Sequence, residues 1–474
     1  MEDAGRAVFD RVITAFAEAE NVRVLCGPGN NGGDGYIVAE LLRQAGRQVK
    51  VSTLASPETL TGDAALAHRQ WRGETVPFHP GDLRETDLVI DALFGAGLSR
   101  PIEGAGEVLI NAVNLDDVPV LSVDLPSGIC GETGKVLGTA IAAVETVTFF
   151  RKKPGHLLNP GKSYCGHVTV ADIGIDDSVL KNIDISTFEN SPGLWRSSWP
   201  GYAPDGHKYL RGHAVVLSGG QLSTGASRLA ARAALRVGAG LTSIAGSEAA
   251  LLIHAVHLTS IMLKPVENAA DLTSLLLDPR LNSVAAGPGF GTDEHARTLL
   301  DALLDTPVAL SLDADALTLA ADDPHAFFAR LQTRDRTTIL TPHEGEFKRL
   351  FGAIDSDTSK LKIAIAAAKQ SGAVVVLKGA DTVIAEPGGK AAINGNAPPW
   401  LATAGSGDVL TGIITGLRAQ GMPAFEAACA GVWLHGEAGK RCGPYLVADD
   451  LETGLAQVLD EDSHDWIDEI RWPE

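Results

Sequence analysis

Near the C-terminal end the chain reads Thr403-Ala404-Gly405-Ser406-Gly407-Asp408-Val409-Leu410-Thr411-Gly412. A Gly-x-Gly-Asp turn at the start of an apolar helical run presents consecutive backbone amides to a phosphoryl group. The carboxylate just inside the helix is placed to accept a proton from a hydroxyl. The plainer reading is a helix start with Asp in its first turn, where the macrodipole favours a negative charge.

Neighbouring segments weigh against the plainer reading. Lys378-Gly379-Ala380-Asp381-Thr382 follows the apolar strand Val374–Leu377, and Lys378 offers a point charge to a phosphate. Thr341-Pro342-His343-Glu344-Gly345-Glu346 follows the strand Thr338–Leu340; His343 is placed to face a substrate or to sit buried, and Glu346 to organise the site. Further strands are expected at Ala214–Leu217, Leu281–Ala286 and Val308–Leu312, followed by glycine turns at Ser218-Gly219-Gly220 and Gly287-Pro288-Gly289 and by Asp313 and Asp315. Strand, glycine turn, helix, repeated, is the pattern of an α/β domain with a mostly parallel sheet.

The first half carries the same rhythm. Strands are expected at Val22–Cys26, Val49–Leu54, Leu88–Leu93, Val118–Val123, Thr146–Phe150 and His167–Val170. In parallel sheets ligands bind beyond the carboxyl ends of the strands. Three glycine-rich segments fall there: Asn30-Asn31-Gly32-Gly33-Asp34-Gly35, Asp91 with Gly95-Ala96-Gly97-Leu98-Ser99-Arg100-Pro101, and Asp124-Leu125-Pro126-Ser127-Gly128. Backbone amides in such turns suit anions, while carboxylates beside them hold a cation or move protons. The turn chemistry of Gly and Asn, and a capping role for Asp124 before Pro126, are the structural alternatives.

Two α/β domains are therefore expected: residues 1–182 with a Rossmann-like parallel sheet, and 207–474, whose Gly405–Asp408 signature resembles the ribokinase-like superfamily, with a second mostly parallel sheet. The patternless, Asn-, Ser- and Pro-bearing stretch 183–206 reads as a linker. Residues 2–19 read as one helix feeding the first strand, where a domain of this kind is expected to carry a further helix in front. No repeat of 20–50 residues appears. The composition, 45% hydrophobic and 21% charged over 474 residues with 52 Gly, suits tightly packed α/β layers. A net charge of −20 disfavours nucleic acid and anionic membrane as partners, and part of it belongs to an acidic C-terminal stretch, Leu459–Glu474, read as solvated. Cys26, Cys130, Cys165, Cys429 and Cys442 are scattered, which suggests neither a disulfide framework nor a zinc site. With no membrane-length apolar run and no signal-peptide start, a cytoplasmic location is expected.

The segments of residues 1–175, including Phe149–His156 (F-F-R-K-K-P-G-H), resemble the epimerase half of the bifunctional NAD(P)H-hydrate repair enzymes. The resemblance implies that Asn30, Asn31, Gly32, Gly33 and Asp34 bind the hydrated dinucleotide, and that Gly95–Pro101 cradle its phosphates. It further implies that Asn31, Asp91 and Ser127 bind potassium and that Asp124 touches the substrate near the reacting carbon; on that placement Asp124 is the candidate acid–base group, with Arg100 as a weaker helper. The family often has Thr where Ala96 stands. The segments of residues 205–455 resemble the ADP-dependent NAD(P)H-hydrate dehydratases of the ribokinase-like superfamily. This implies that Ala239, Gly289, His343 and Asp408 contact the S epimer. Lys378, Gly379, Ala380, Asp381 and Thr382, with Ala404, Gly405, Ser406 and Gly407, would hold the adenine nucleotide. Glu344 replaces the second Pro of the family's T-P-H-P-G-E.

The two resemblances occur in the family's fused order. They imply an enzyme that interconverts R- and S-NADHX and NADPHX and dehydrates the S epimer to NAD(P)H with ADP as phosphoryl donor, Mg2+ and K+ as ions, and self-association as a homo-oligomer. Two alternatives stay open on sequence: a ribokinase-like small-molecule kinase with an appended dinucleotide-binding domain, and a first domain that binds without turnover.

Overall fold

A computed structural model describes residues 1–54, 56–201, 206–353 and 358–467. The chain divides into two compact units, Met1–Ile185 and Ser186–Glu474.

In the first unit the strands are β1 (Asn21–Cys26), β2 (Gln48–Thr53), β3 (Glu74–Pro77), β4 (Leu88–Ala92), β5 (Val120–Val123), β6 (Glu145–Phe149) and β7 (His167–Ala171), in the spatial order β3-β2-β1-β4-β5-β6-β7. Every pairing is parallel. The central strands are apolar on both faces because both are covered. Val24, Cys26, Ile90 and Val147 join the core under the helices Glu2–Ala15 and Asn30–Gln44, while Leu25, Val89 and Ile141 join the one under Ala105–Asn114. The chain leaves β1 for β2 on one side and reaches β4 on the other, so the sheet's switch point lies between β1 and β4. There the departing loops touch: a Cβ on Gly27 would lie 1.7 Å from the Leu93 carbonyl oxygen, which only glycine tolerates.

In the second unit the strands are β8 (Thr187–Glu189), β9 (His213–Leu217), β10 (Leu241–Gly246), β11 (Met262–Pro265), β12 (Ser283–Ala286), β13 (Ala309–Leu312), β14 (Ile339–Leu340), β15 (Val374–Leu377), β16 (Val383–Ala385) and β17 (Ala391–Ile393). Their order is β11-β10-β9-β12-β13-β14-β15-β16-β17-β8, with only the β15–β16 and β16–β17 pairs antiparallel. The switch point falls between β9 and β12, and again glycine lets the loops meet: a Gly219 Cβ would lie 2.0 Å from the Gly289 oxygen. The helix Ser406–Ala419 packs backbone to backbone on Thr224–Arg236, because a Cβ on Gly412 or Gly416 would stand 2.1 or 2.5 Å from the oxygens of Ala230 and Ala234.

The stretch read as a linker is in part structural. Its β8 pairs with β17 along the edge of the second sheet, and Trp195 is fully buried against Trp199 and Trp433. Three residues of strand and one large indole bury enough apolar surface to dock a segment that has no periodicity to announce it. Residues 202–205 of that stretch lie outside the described residues. The acidic stretch from Leu459 begins within the helix Leu451–Ile467, and residues 468–474 are outside.

Candidate active sites

In the first unit Asp124 follows β5 in the left-handed region, φ 66°, a conformation that costs a non-glycine residue energy and that its surroundings must hold. Several bonds hold it. Its amide donates to the Val147 oxygen at 2.7 Å, and His156 donates from Nε2 to its carbonyl at 2.8 Å. The Lys153 amide donates to His156 Nδ1 at 2.9 Å, which fixes that tautomer. Burial keeps His156 below its ordinary pKa, so the ring is a neutral clamp.

The carboxylate of Asp124 accepts from Lys153 Nζ at 2.5 Å, Thr148 Oγ1 at 3.0 Å and the Ala96 amide at 3.1 Å. Burial pushes its pKa up, but the Lys153 charge and these hydrogen bonds outweigh burial and hold it below the usual carboxylate range. Lys153, Thr148 and His156 were not singled out from the sequence as site residues; the Phe149–His156 motif was the available signal. Arg100 lies exposed on its loop, and among the described residues it is not one of the groups that hold Asp124.

Gly95 is the meeting point of the three loops. A Cβ there would lie 3.0 Å from both Asn31 Oδ1 and Asp124 Oδ2. Next to it, the Phe94 amide donates to Ser127 Oγ at 2.9 Å. Asp91 is fully buried and accepts from Ser127 Oγ (2.6 Å), the Ser127 amide (2.8 Å), Ser122 Oγ (2.9 Å) and the Leu93 amide (3.2 Å). Burial still raises its pKa, since none of these donors carries a charge. Asn31, Asp91, Ser127 and the Phe94 carbonyl thus supply only oxygen ligands around a buried anion, a donor set that fits a hard monovalent cation. Among the described residues no group of three or more His, Cys, Asp or Glu is spaced to hold a metal ion.

In the second unit Gly405 takes the left-handed conformation, φ 85°, that starts the helix Ser406–Ala419. Asp408 lies in its first turn. Its carboxylate has no hydrogen-bond partner among the described residues and is pushed up to about 6, by burial first and then by Asp313, with Lys378 opposing and Asp315 adding. Lys378 Nζ donates to Asp313 at 2.6 Å, and Asp313 also accepts from Thr411 Oγ1 at 2.7 Å and the Ala314 amide at 2.9 Å. A Cβ on Gly407 would lie 3.5 Å from Lys378 Nζ, so the lysine faces the glycine turn. His435 Nε2 lies 3.0 Å from Ser406 Oγ and is held near 4 chiefly by burial, so it supports the turn as a neutral ring.

The Lys378–Thr382 segment folds on itself through Gly379 N to Thr382 Oγ1 (3.2 Å), and Lys360 pairs with Asp381 at 2.6 Å. Lys360 was not read from the sequence as a site residue. His343 is not buried. It caps the helix Glu344–Phe351, its Nδ1 accepting from the Gly345 and Glu346 amides while Glu346 accepts from the His343 amide at 2.8 Å. That leaves Nε2 as the protonated nitrogen, on an exposed ring edge with Glu346 Oε1 3.4 Å away.

Ala239 is not brought to this rim. It is 2% exposed and clusters with Ala214, Ala234 and Ala419, at the start of β9 and the far ends of the two helices whose opposite ends carry Thr224 and Ser406. A methyl group at the amino ends of the strands packs the core and does not face the carboxyl-end crevice.

The family described as NAD(P)H-hydrate dehydratase matches residues 214–455, and the family described as YjeF-related protein N-terminus matches residues 1–155. The chain is 40% identical, over 97% of its length and 92% of the relative's, to the bifunctional NAD(P)H-hydrate repair enzyme Nnr of Moorella thermoacetica. It is 33% identical, over 98% and 89%, to that of Escherichia coli. Among solved structures, the ADP/ATP-dependent NAD(P)H-hydrate dehydratase of Bacillus subtilis aligns with TM-score 0.51 and 27% identity, over 59% of this chain and 99% of that one. With both halves matched in order, along nearly the whole length of such relatives, the chain belongs to the bifunctional NAD(P)H-hydrate repair enzymes.

Proposed function

We propose that the first unit interconverts R- and S-NAD(P)HX and that the second dehydrates the S epimer to NAD(P)H, consuming ADP and releasing AMP and phosphate. The observation that carries the second assignment is Asp408, a half-buried carboxylate with no hydrogen-bond partner among the described residues, one helical turn from glycine amides and beside Lys378. Hydroxide is a poor leaving group. Asp408 takes the proton from the C6 hydroxyl as its oxygen attacks the terminal phosphorus of ADP. The Gly405–Gly407 amides and Lys378 stabilise the charge on the moving phosphoryl, and AMP departs. The ring nitrogen's lone pair then expels phosphate from C6, and loss of the C5 proton restores the double bond.

Gly289 and the exposed Nε2 edge of His343 are assigned to the substrate, and Lys378–Thr382 with Ala404–Gly407 to the nucleotide. Ala239 has no part in this reading. Magnesium would offset the excess negative charge that Asp313, Asp315 and Asp408 bring to the phosphoryl groups. In the first unit Asp124 is the acid–base group, kept ionised by Lys153. Asn30–Asp34 and Gly95–Pro101 receive the dinucleotide, and Asn31, Asp91 and Ser127 hold potassium, which would neutralise the buried Asp91. We also assign a homo-oligomeric state and a cytoplasmic location; among the described residues no helix is long and apolar enough to cross a membrane.

Mixed R- and S-NADHX with ADP, magnesium and potassium test both assignments. Complete conversion of both epimers, with AMP and phosphate formed in step, is the expected result. Conversion that stops when the S epimer is exhausted would remove the epimerase. A stable phosphorylated product would point to a kinase.

A further inference from the structure

Among the described residues of the first unit, two buried polar atoms have no hydrogen-bond partner: Asn31 Nδ2 and Asp34 Oδ1. An unpaired donor or acceptor shut away from water costs about 1–3 kcal/mol, so a helix that keeps two of them within one turn is built for something that satisfies both. They sit three residues apart on one helix, Asn30–Gln44, and so share a face. The side chain of Asp34 is within electrostatic reach of the Met1 amino group on one side and of Asp124 on the other, and Asn31 Oδ1 approaches Asp124 Oδ2 around Gly95, so this face borders the crevice already described. One atom is a donor and the other an acceptor. A carboxylate ligand would satisfy Asn31 and be repelled by Asp34, and a cation would do the reverse. A primary amide offers a carbonyl to the first and an N–H to the second.

We infer that Asn31 and Asp34 together form the recognition site for the primary carboxamide of the hydrated nicotinamide ring, Asn31 donating to its oxygen and Asp34 accepting from its nitrogen. The inference rests on the reading of this unit as the epimerase and adds which end of the ring it grips. The two ends of the Asn31 amide divide their work: Oδ1 faces the Gly95 meeting point, where the oxygen ligands gather, and Nδ2 faces the substrate. The carboxamide stands across the ring from C6, so gripping it at Asn31 and Asp34 turns the reacting carbon away from this helix. Glycine at 32 between the two is part of the arrangement, because a Gly32 Cβ would lie 2.0 Å from the Gly27 oxygen.

The test compares epimerisation of the hydrate of NADH with that of its 3-acetylpyridine analogue, which keeps the carbonyl and replaces the amide nitrogen by a methyl group. The full-length protein is used, with epimers resolved by chromatography. The wild type should show a KM at least about tenfold higher for the analogue, since Asp34 is then left facing a methyl group. Asp34→Leu should collapse that ratio toward one, whereas Asp34→Asn, which retains a carbonyl acceptor, should preserve most of it. Dehydration of the S epimer by the second unit and the melting curve report whether Asp34→Leu still folds. If the wild type epimerises both compounds with equal KM, the carboxamide assignment is overturned while the epimerase reading stands. If neither compound is epimerised, the epimerase reading fails and takes this inference with it.

Discussion

Asp124 and Asp408 are the same residue type, at the carboxyl-end rims of a parallel and a mostly parallel sheet whose switch points are closed by equivalent glycines, Gly27 and Gly219. Their wiring is opposite. Asp124 is tied to a lysine, a threonine and an amide and sits below its ordinary pKa; Asp408 has none of these and is pushed up to about 6 beside other acids. Burial raises both, so the neighbours decide. The difference separates two kinds of work. A carboxylate that must meet its substrate already ionised, ready to act as a base, is given a cation, whereas one that must take a proton from a hydroxyl and hold it through phosphoryl transfer is placed where that exchange falls near the working pH.

The strongest way to break the comparison is to remove each carboxylate's charge in turn. Asp408→Asn should lower dehydration of the S epimer about 10²–10⁴-fold while R/S exchange continues at the wild-type rate. Asp124→Asn should do the converse, leaving the R epimer untouched by the dehydratase. Loss of both activities from either substitution would mean that the two sites are not independent.

The pH profiles sharpen it next. Dehydration, measured as kcat/KM, should fall about tenfold per unit as pH drops below about 6, because Asp408 must be ionised to accept the hydroxyl proton. Epimerisation should stay flat through that window, since Asp124 is already an anion there. Lys153→Met leaves the burial and removes the opposing charge, so the Asp124 carboxyl rises and an acid limb should enter the epimerase profile. If Lys153→Met lowers the rate equally at every pH, the lysine contributes in some other way than by holding the charge.

Much of this was legible because glycine and acidic residues mark the rims. The strand-then-glycine rhythm marked six of the seven strands of the first sheet and five of the ten of the second, leaving even the six-residue β10 unread, and Asp124, Asp408, Asn31 and Lys378 all stand at the crevices. What escaped reading depends on contacts distant in sequence. Lys153 reaches Asp124 from 29 residues away, and Lys360 reaches Asp381 from 21, by folds of the backbone that no local pattern encodes. The strands β3, β16 and β17 are three or four residues long, too short for alternation to show. Trp195 lies in a stretch whose polar neighbours suggested a linker, and one buried ring outweighs them. Ala239 sits in the glycine-rich run Val237–Leu241 that resembles a ligand loop but turns at the opposite end of the sheet.

The smallest expected effect concerns His343, where capping and substrate contact use different atoms of one ring. Nδ1 accepts from the Gly345 and Glu346 amides, while Nε2 remains on the exposed edge. Losing the cap in His343→Ala should cost about 1 kcal/mol of stability. Asn is among the best capping residues, so His343→Asn should restore that stability without restoring a donor at the position of Nε2. A KM for the S epimer that stays raised in His343→Asn while the melting temperature recovers would assign the outer nitrogen to the substrate. Recovery of both together would leave His343 as a helix cap and shift recognition to the Gly289 loop, in which case the second unit, like the first, would read its substrate mainly through groups on the loops beside its switch point.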